Sequence, residues 1–414
     1  MSKVTWTITG RITVNENAIS GIMTNRAVAG AEVEISASNL GVFASWGKVR
    51  TDAAGNFSLK IEKDKSKRKF KVKVRFEDND LAINSGAMAD MANFLSPAIT
   101  IFEHDHEVEG PTINIGTKTF ESGANGELGT LDNRRRAITW FAVKTLINTL
   151  RNRDSYFAFK SKIRVIYPAN NVSGACYANG VTRSAYIHST DKSDQWSVET
   201  VFHEVMHLWN YDHNHGTANW LAAVFCPPDM DTHGQSERLN IAFHEGFAEF
   251  AANELLWQIF GNEDKSAERK IRKQLPYNRY ALVHELKLDT VDEVEQSDKG
   301  VFRALCLLVM SQIYDYQFGN KDTALSTAPF PKQIHTDGLA CPHPMSFATI
   351  FDVLKVFQAN PAKGYSNEWE VGGRDYGVRR FIERAGDILD NLDNTTKNLM
   401  LGLIDPNSRE EPVH

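Results

Sequence analysis

The stretch WSVETVFHEVMHLW, Trp196 to Trp209, constrains most strongly what this chain can fold into. Val201, Phe202, Val205, Met206 and Leu208 surround two histidines and a glutamate, so a helix over these residues, with Asp194 as its expected N-cap, is apolar on almost every side. Residues four apart share a helix face. His203 and His207 can therefore direct both imidazoles at one point, and Glu204, one residue further round, can reach a water beside it. Polar groups in a core are costly without partners, so the helix needs either a bound divalent cation or hydrogen-bonded core histidines. The expected cofactor is Zn2+, bound by His203 and His207.

A third ligand is open between two places. His213 lies ten residues after His203, in HEVMHLWNYDH. The rival stands in LNIAFHEGFAEFAANELLWQIFG, a second apolar helix with Gly261 as expected C-cap, where Glu245 and Glu249 share a face beside the small Gly246 and Ala248. Two carboxylates among apolar neighbours again require a cation or hydrogen bonds. Glu245 is favoured, and His213 remains the alternative metal ligand.

A chain of 414 residues exceeds one ordinary core, and its pattern changes part-way along. As far as about residue 116 it is a succession of short strand patterns, among them AEVEISA and FKVKVRF. In the second, Phe70, Val72, Val74 and Phe76 alternate with Lys71, Lys73 and Arg75, which describes a half-buried antiparallel strand with a solvated cationic face. Residues 117–132 hold Gly123, Gly126 and Gly129 without hydrophobic periodicity and are expected to be a linker. Asp132 then precedes a helical stripe of Ile138, Trp140, Phe141, Val143, Leu146, Ile147 and Leu150. Strands are expected at KIRVIYPA and TRSAYIHST, and helices dominate after Arg238. The expected organisation is multidomain: an all-β sandwich over 1–116, the linker, and an α+β domain over 133–414 with a helical C-terminal lobe.

A formal net charge of -6 disfavours nucleic acid or an anionic membrane as the main partner, and no apolar run is long enough to cross a bilayer. MSKVTWTITGRITV alternates polar and apolar residues, unlike a secretory leader, so the chain is expected to be cytoplasmic as synthesised, with any export by a non-classical route. Cys176, Cys226, Cys306 and Cys341 are far apart and form no C-x-x-C pair, which favours reduced core thiols.

GRITV, AVAGAEVEI and VRTDAAGNFSLKI together resemble the transthyretin-like or carboxypeptidase-regulatory β-sandwich over about Gly10 to Phe76. That resemblance implies a spacer or a docking module rather than a catalyst. The order helix, strand, strand, HEVMH helix resembles the zincin metallopeptidases, and it implies that TRSAYIHST is an edge strand to which a peptide substrate adds. HEGFAEF looks like the second motif of the gluzincins, the superfamily that includes thermolysin and the M1 aminopeptidases. The likeness implies Glu245 as third zinc ligand, Glu249 as a carboxylate orienting a ligand histidine, and an insertion between His207 and Glu245.

With His213 as ligand the spacing is instead that of the metzincins, with Asn210 in place of their glycine. DKGVFRALCLLV resembles a helix of M1 enzymes, with Ser297 where they have a catalytic tyrosine. Gluzincins commonly use a Tyr or His downstream as oxyanion donor, and for that role the resemblance offers Tyr277, Tyr280 and His284 in LPYNRYALVHEL. The expected function is zinc-dependent hydrolysis of peptide bonds, endopeptidase rather than aminopeptidase, with Glu204 as general base and a peptide or protein as substrate. A leaderless β-sandwich joined to a zincin also resembles cargo of bacterial contractile secretion systems, in which the sandwich docks on a partner. The non-enzymatic alternative is an adhesion or scaffold protein with a degenerate zincin fold.

Overall fold

The computed structural model describes residues 3–260 apart from 20, 39–40, 87–95, 105–106, 109, 154–156, 171–173, 181 and 214–238, and beyond them 297, 300–302, 304–305 and 381–382. Contacts divide the chain into two compact units, Met1–Val205 and Met206–His414. The expected β-domain, the expected linker and the first strands after it all fall in the first unit.

That unit begins as two sheets. β1 (Lys3–Glu16) pairs antiparallel with β2 (Thr24–Ala27) and β5 (Asn56–Asp64) and parallel with β9 (Thr112–Phe120). The second sheet has the order β4 (Ala44–Arg50), β3 (Glu32–Ser38), β6 (Lys69–Arg75), β8 (Ile99–Glu103), all antiparallel. Alternation sets which side chains go inside: Trp6 and Ile8 of β1, Val33 and Ile35 of β3, and Phe70, Val72 and Val74 of β6 are fully buried. The two layers meet at aromatic rings, Trp6 lying 5.4 Å from Phe70 and 5.5 Å from Trp46 between centroids.

Two glycines make this packing possible. A Cβ on Gly10 would stand 2.6 Å from Ile115 and 2.8 Å from the Phe57 ring, at the point where the β1 and β9 register shifts. Gly55, at φ +81, closes the TDAAGN turn against the Ile12 carbonyl, and Asp52 Oδ1 accepts the amides of Ala54 and Asn56 at 2.9 and 2.8 Å.

A third sheet has the order β11 (Tyr177–Asn179), β12 (Ser184–His188), β10 (Ile163–Ala169), β7 (Leu81–Gly86). β7 comes from the region expected to be a separate sandwich, yet it pairs in parallel with β10. Helix α1 (Leu131–Arg153) joins the same assembly: Trp140 donates to the Ala29 carbonyl at 2.8 Å, and Lys144 pairs with Asp78 and Asp80 at 2.6 and 3.0 Å. Residues 117–132 are partly structured, with β9 running to Phe120 and a 3-10 turn over Gly126–Gly129. The structure corrects the expectation for TRSAYIHST. β12 lies between β10 and β11 with all five residues buried, so the edge on that side is β11. The short antiparallel strand β11 was missed because three residues carry too little periodicity to read.

Two further helices are described, α2 (Val198–His213) and α3 (Leu239–Phe260). The described residues are thus a β-rich N-terminal region followed by α+β structure. No helix among them is long and apolar enough to cross a membrane.

Candidate metal centre

Helix α2 starts one turn later than its expected cap implies. Ser197, not Asp194, accepts the Thr200 amide at 2.9 Å and precedes the first helical residue. Asp194 is engaged elsewhere, in a two-point contact with the Arg135 guanidinium of α1 at 2.9 and 2.6 Å, and this arginine together with the Trp196 amide lowers the aspartate's pKa. Val198, Val201, Phe202, Val205, Met206, Leu208 and Trp209 are buried, so the helix is embedded nearly all round. On it His203 and His207 are half-buried one turn apart, while Glu204 is only 6% exposed.

Within the second unit, α3 meets this helix through a polar contact set among apolar side chains. His207 Nε2 lies 3.1 Å from Glu245 Oε2. Around them Phe243, Phe247, Ala248 and Phe250 are buried, with Trp209 6.1 Å from Phe247 between ring centroids. His203 is carried by the same continuous helix as His207. One ligand atom from each of His203, His207 and Glu245 lies within 4.8 Å of the others.

This donor set fits a metal. Two atoms each about 2.0–2.1 Å from a tetrahedral zinc ion are roughly 3.3 Å apart, close to the 3.1 Å between His207 and Glu245. Two imidazoles and a carboxylate are donors of the kind zinc takes, and as three ligands they would leave a fourth position. Glu204, rotated about 100° from His203 on the helix, is buried beside that set. Its charge is felt at Cys176, whose thiol is pushed up to about 12 by burial, with Glu204 and Asp194 adding to the rise and the His188 amide opposing it. His244, next to Glu245, has its pKa pushed down to about 4 by desolvation and by His207, against the pull of Glu245.

His213 is not brought into the group. The helix continues past Asn210 without a turn, and ten residues of helix carry His213 about 15 Å along the axis from His203. There its ring stacks on Trp209 at 4.1 Å and its Nδ1 meets the Trp209 carbonyl at 2.8 Å. Glu249 lies one turn beyond Glu245 on α3, half-buried. Tyr277, Tyr280, His284 and Gly261 lie outside the described residues. Ser297 is fully buried and acts as a helix cap, its Oγ accepting the Gly300 amide at 3.3 Å and its carbonyl the Val301 amide at 2.9 Å.

No family model matches the sequence, and no curated protein matches it. Among solved structures, a 9R-lipoxygenase from Cyanothece is similar over 36% of this chain and 23% of its own length, at 16% identity and a TM-score of 0.20. A likeness of that size bears on neither fold nor chemistry.

Proposed function

We propose that the chain is a zinc-dependent peptidase of the zincin type, in which His203, His207 and Glu245 hold the metal and Glu204 is the general base. The observation that carries this reading is the convergence of the three donors within 4.8 Å, with a buried glutamate one residue along the same helix. A purely structural metal site has no use for that glutamate. Bound Zn2+ would supply an acidified water and polarise a substrate carbonyl.

The protein's own residues do the rest. His203 and His207 are held one helical turn apart by a rigid, buried segment, which fixes the direction of both rings. Glu204 accepts the proton of the attacking water and returns it to the leaving amine. Its burial excludes competing solvent from the carboxylate. The β-rich region is assigned the supporting role of a transthyretin-like module.

Purified protein and its Glu204→Gln variant, assayed for metal content and for cleavage of a quenched fluorescent peptide library, test the reading. Both proteins should retain stoichiometric zinc, and the variant should lose about a hundredfold or more in kcat. Equal cleavage by two zinc-loaded proteins would remove the peptidase mechanism. Zinc in both with cleavage in neither would favour the scaffold alternative.

A further inference from the structure

Residues 63–71, KDKSKRKFK, carry six cations against one acid in a chain whose formal net charge is -6. Strand pairing gathers them at one end of the two-sheet region. Lys63 and Asp64 close β5 opposite Val4 and Lys3, and Lys69 opens β6 opposite Ser38. Residues 41–43, which lead into β4, stand at the same end, because Ala37 pairs with both Phe70 and Ala44. Among them Val42 is 80% exposed and is followed by half-buried Phe43.

Side chains tie these residues and the cations into one surface. Lys71 Nζ lies 4.8 Å from the centre of the Phe43 ring, and the Arg68 guanidinium 5.7 Å from that of Trp46. Asp64 engages Arg68, and Glu103 engages Lys71 at 2.9 Å. Lys65 and Lys69 are exposed around them.

We propose that this end of the β-rich region docks on an anionic lipid surface, with Val42 entering the headgroup layer and the surrounding lysines meeting acidic headgroups. The net charge of -6 disfavours an anionic membrane for the chain as a whole, but charges are screened beyond about 8 Å at physiological ionic strength, so a membrane senses chiefly the face turned toward it. The exposed valine separates lipid from nucleic acid as the occupant. A single strand would need open ring faces for its bases, and those of Phe43 and Trp46 already carry Lys71 and Arg68. An apolar tip ringed by cations fits an interface that is apolar below and anionic above. The inference is independent of the metal centre.

Flotation of the full chain with vesicles of phosphatidylcholine, alone or with about 30% phosphatidylserine, tests it. The bound fraction should rise about tenfold with phosphatidylserine, fall about tenfold in a Lys65→Glu, Lys69→Glu double variant, and fall several-fold in Val42→Asp. All three positions are exposed, so thermal melting should be unchanged. Equal binding to both vesicles, or no loss in the lysine variant, would overturn the proposal. Vesicle binding that is indifferent to Val42→Asp would overturn insertion, and single-stranded oligonucleotide binding lost in the lysine variant would then assign the patch to nucleic acid.

Discussion

Strand β6 and helix α2 both interleave polar residues with apolar ones, and they solve the resulting problem in opposite ways. In β6 a period of two sends Phe70, Val72 and Val74 inward and places Lys71, Lys73 and Arg75 half-buried on the other face, where Glu103 pairs with Lys71 and the Ser96 carbonyl accepts from Arg75. In α2 the apolar residues surround the polar ones. His203, Glu204 and His207 share their helix with seven buried apolar side chains, and Glu245 of another helix lies 3.1 Å from His207. Polar residues whose positions match the period of the element are the solvent side of a packed layer. Polar residues that break an apolar surround are there for each other, and the fold must bring their partners from a distance.

The contrast is sharpest at the third ligand, where the largest effect is expected. If α3 completes the group, Glu245→Gln should weaken zinc binding by a hundredfold or more, while His213→Ala leaves it within a few-fold, because His213 Nδ1 already serves the Trp209 carbonyl. Zinc competition against a chromogenic chelator measures both. Loss in the His213 variant alone would move the site onto α2 by itself and remove the need for a partner from another helix.

The strand provides the matching test. Phe70 is fully buried between Trp6 and Trp46, 5.4 and 5.1 Å from their ring centres. Phe70→Ala should cost about 3–5 kcal/mol in urea unfolding, whereas Lys73→Ala should stay within about 0.5 kcal/mol. A large effect at Lys73 would mean that the cationic face is not merely solvated.

A smaller effect is expected at Glu249. If it orients a ligand histidine, Glu249→Gln should reduce zinc affinity about 10–100-fold without abolishing binding. An unchanged affinity would leave Glu249 as a polar residue of α3 unconnected with the metal.

Much of this was legible in the sequence, for reasons that differ between regions. β3, β6, β10 and β12 declare themselves by alternation and turn residues, and α1 and α2 by apolar residues at helical spacing. The pair His203 and His207 is legible because four residues of helix is a fixed geometry. Glu245 could be suspected only from a carboxylate in an apolar helix, since nothing local says that 38 residues of intervening chain return it to within 3.1 Å of His207. Sheet membership was hidden for a related reason. β7 reads as one more strand of the N-terminal series, and its parallel pairing with β10 is decided by contacts about eighty residues apart. On the other side of β10, the pairing of β11 with β12 makes β12 an inner strand, which no property of TRSAYIHST could announce.

The smallest effect concerns the start of α2, where a local rule was applied one turn too early. Asp194 and Ser197 are both good caps, and sequence alone does not choose between them. Tertiary structure does: Arg135, stacked 4.8 Å over Trp196, takes Asp194 into a charged pair and leaves Ser197 to accept the Thr200 amide. Ser197→Ala should therefore cost about 1 kcal/mol, with little change in zinc affinity because His203 sits beyond the first turn. Asp194→Asn keeps a capping side chain but weakens the pair to Arg135, and should cost no more than the serine change because Asp194 is partly exposed. If Asp194→Asn proves the costlier, the helix is anchored through α1 rather than by its own cap. The contrast with β6 would then extend to the helix ends, with a strand specified by its own pattern and a helix by what it is fastened to.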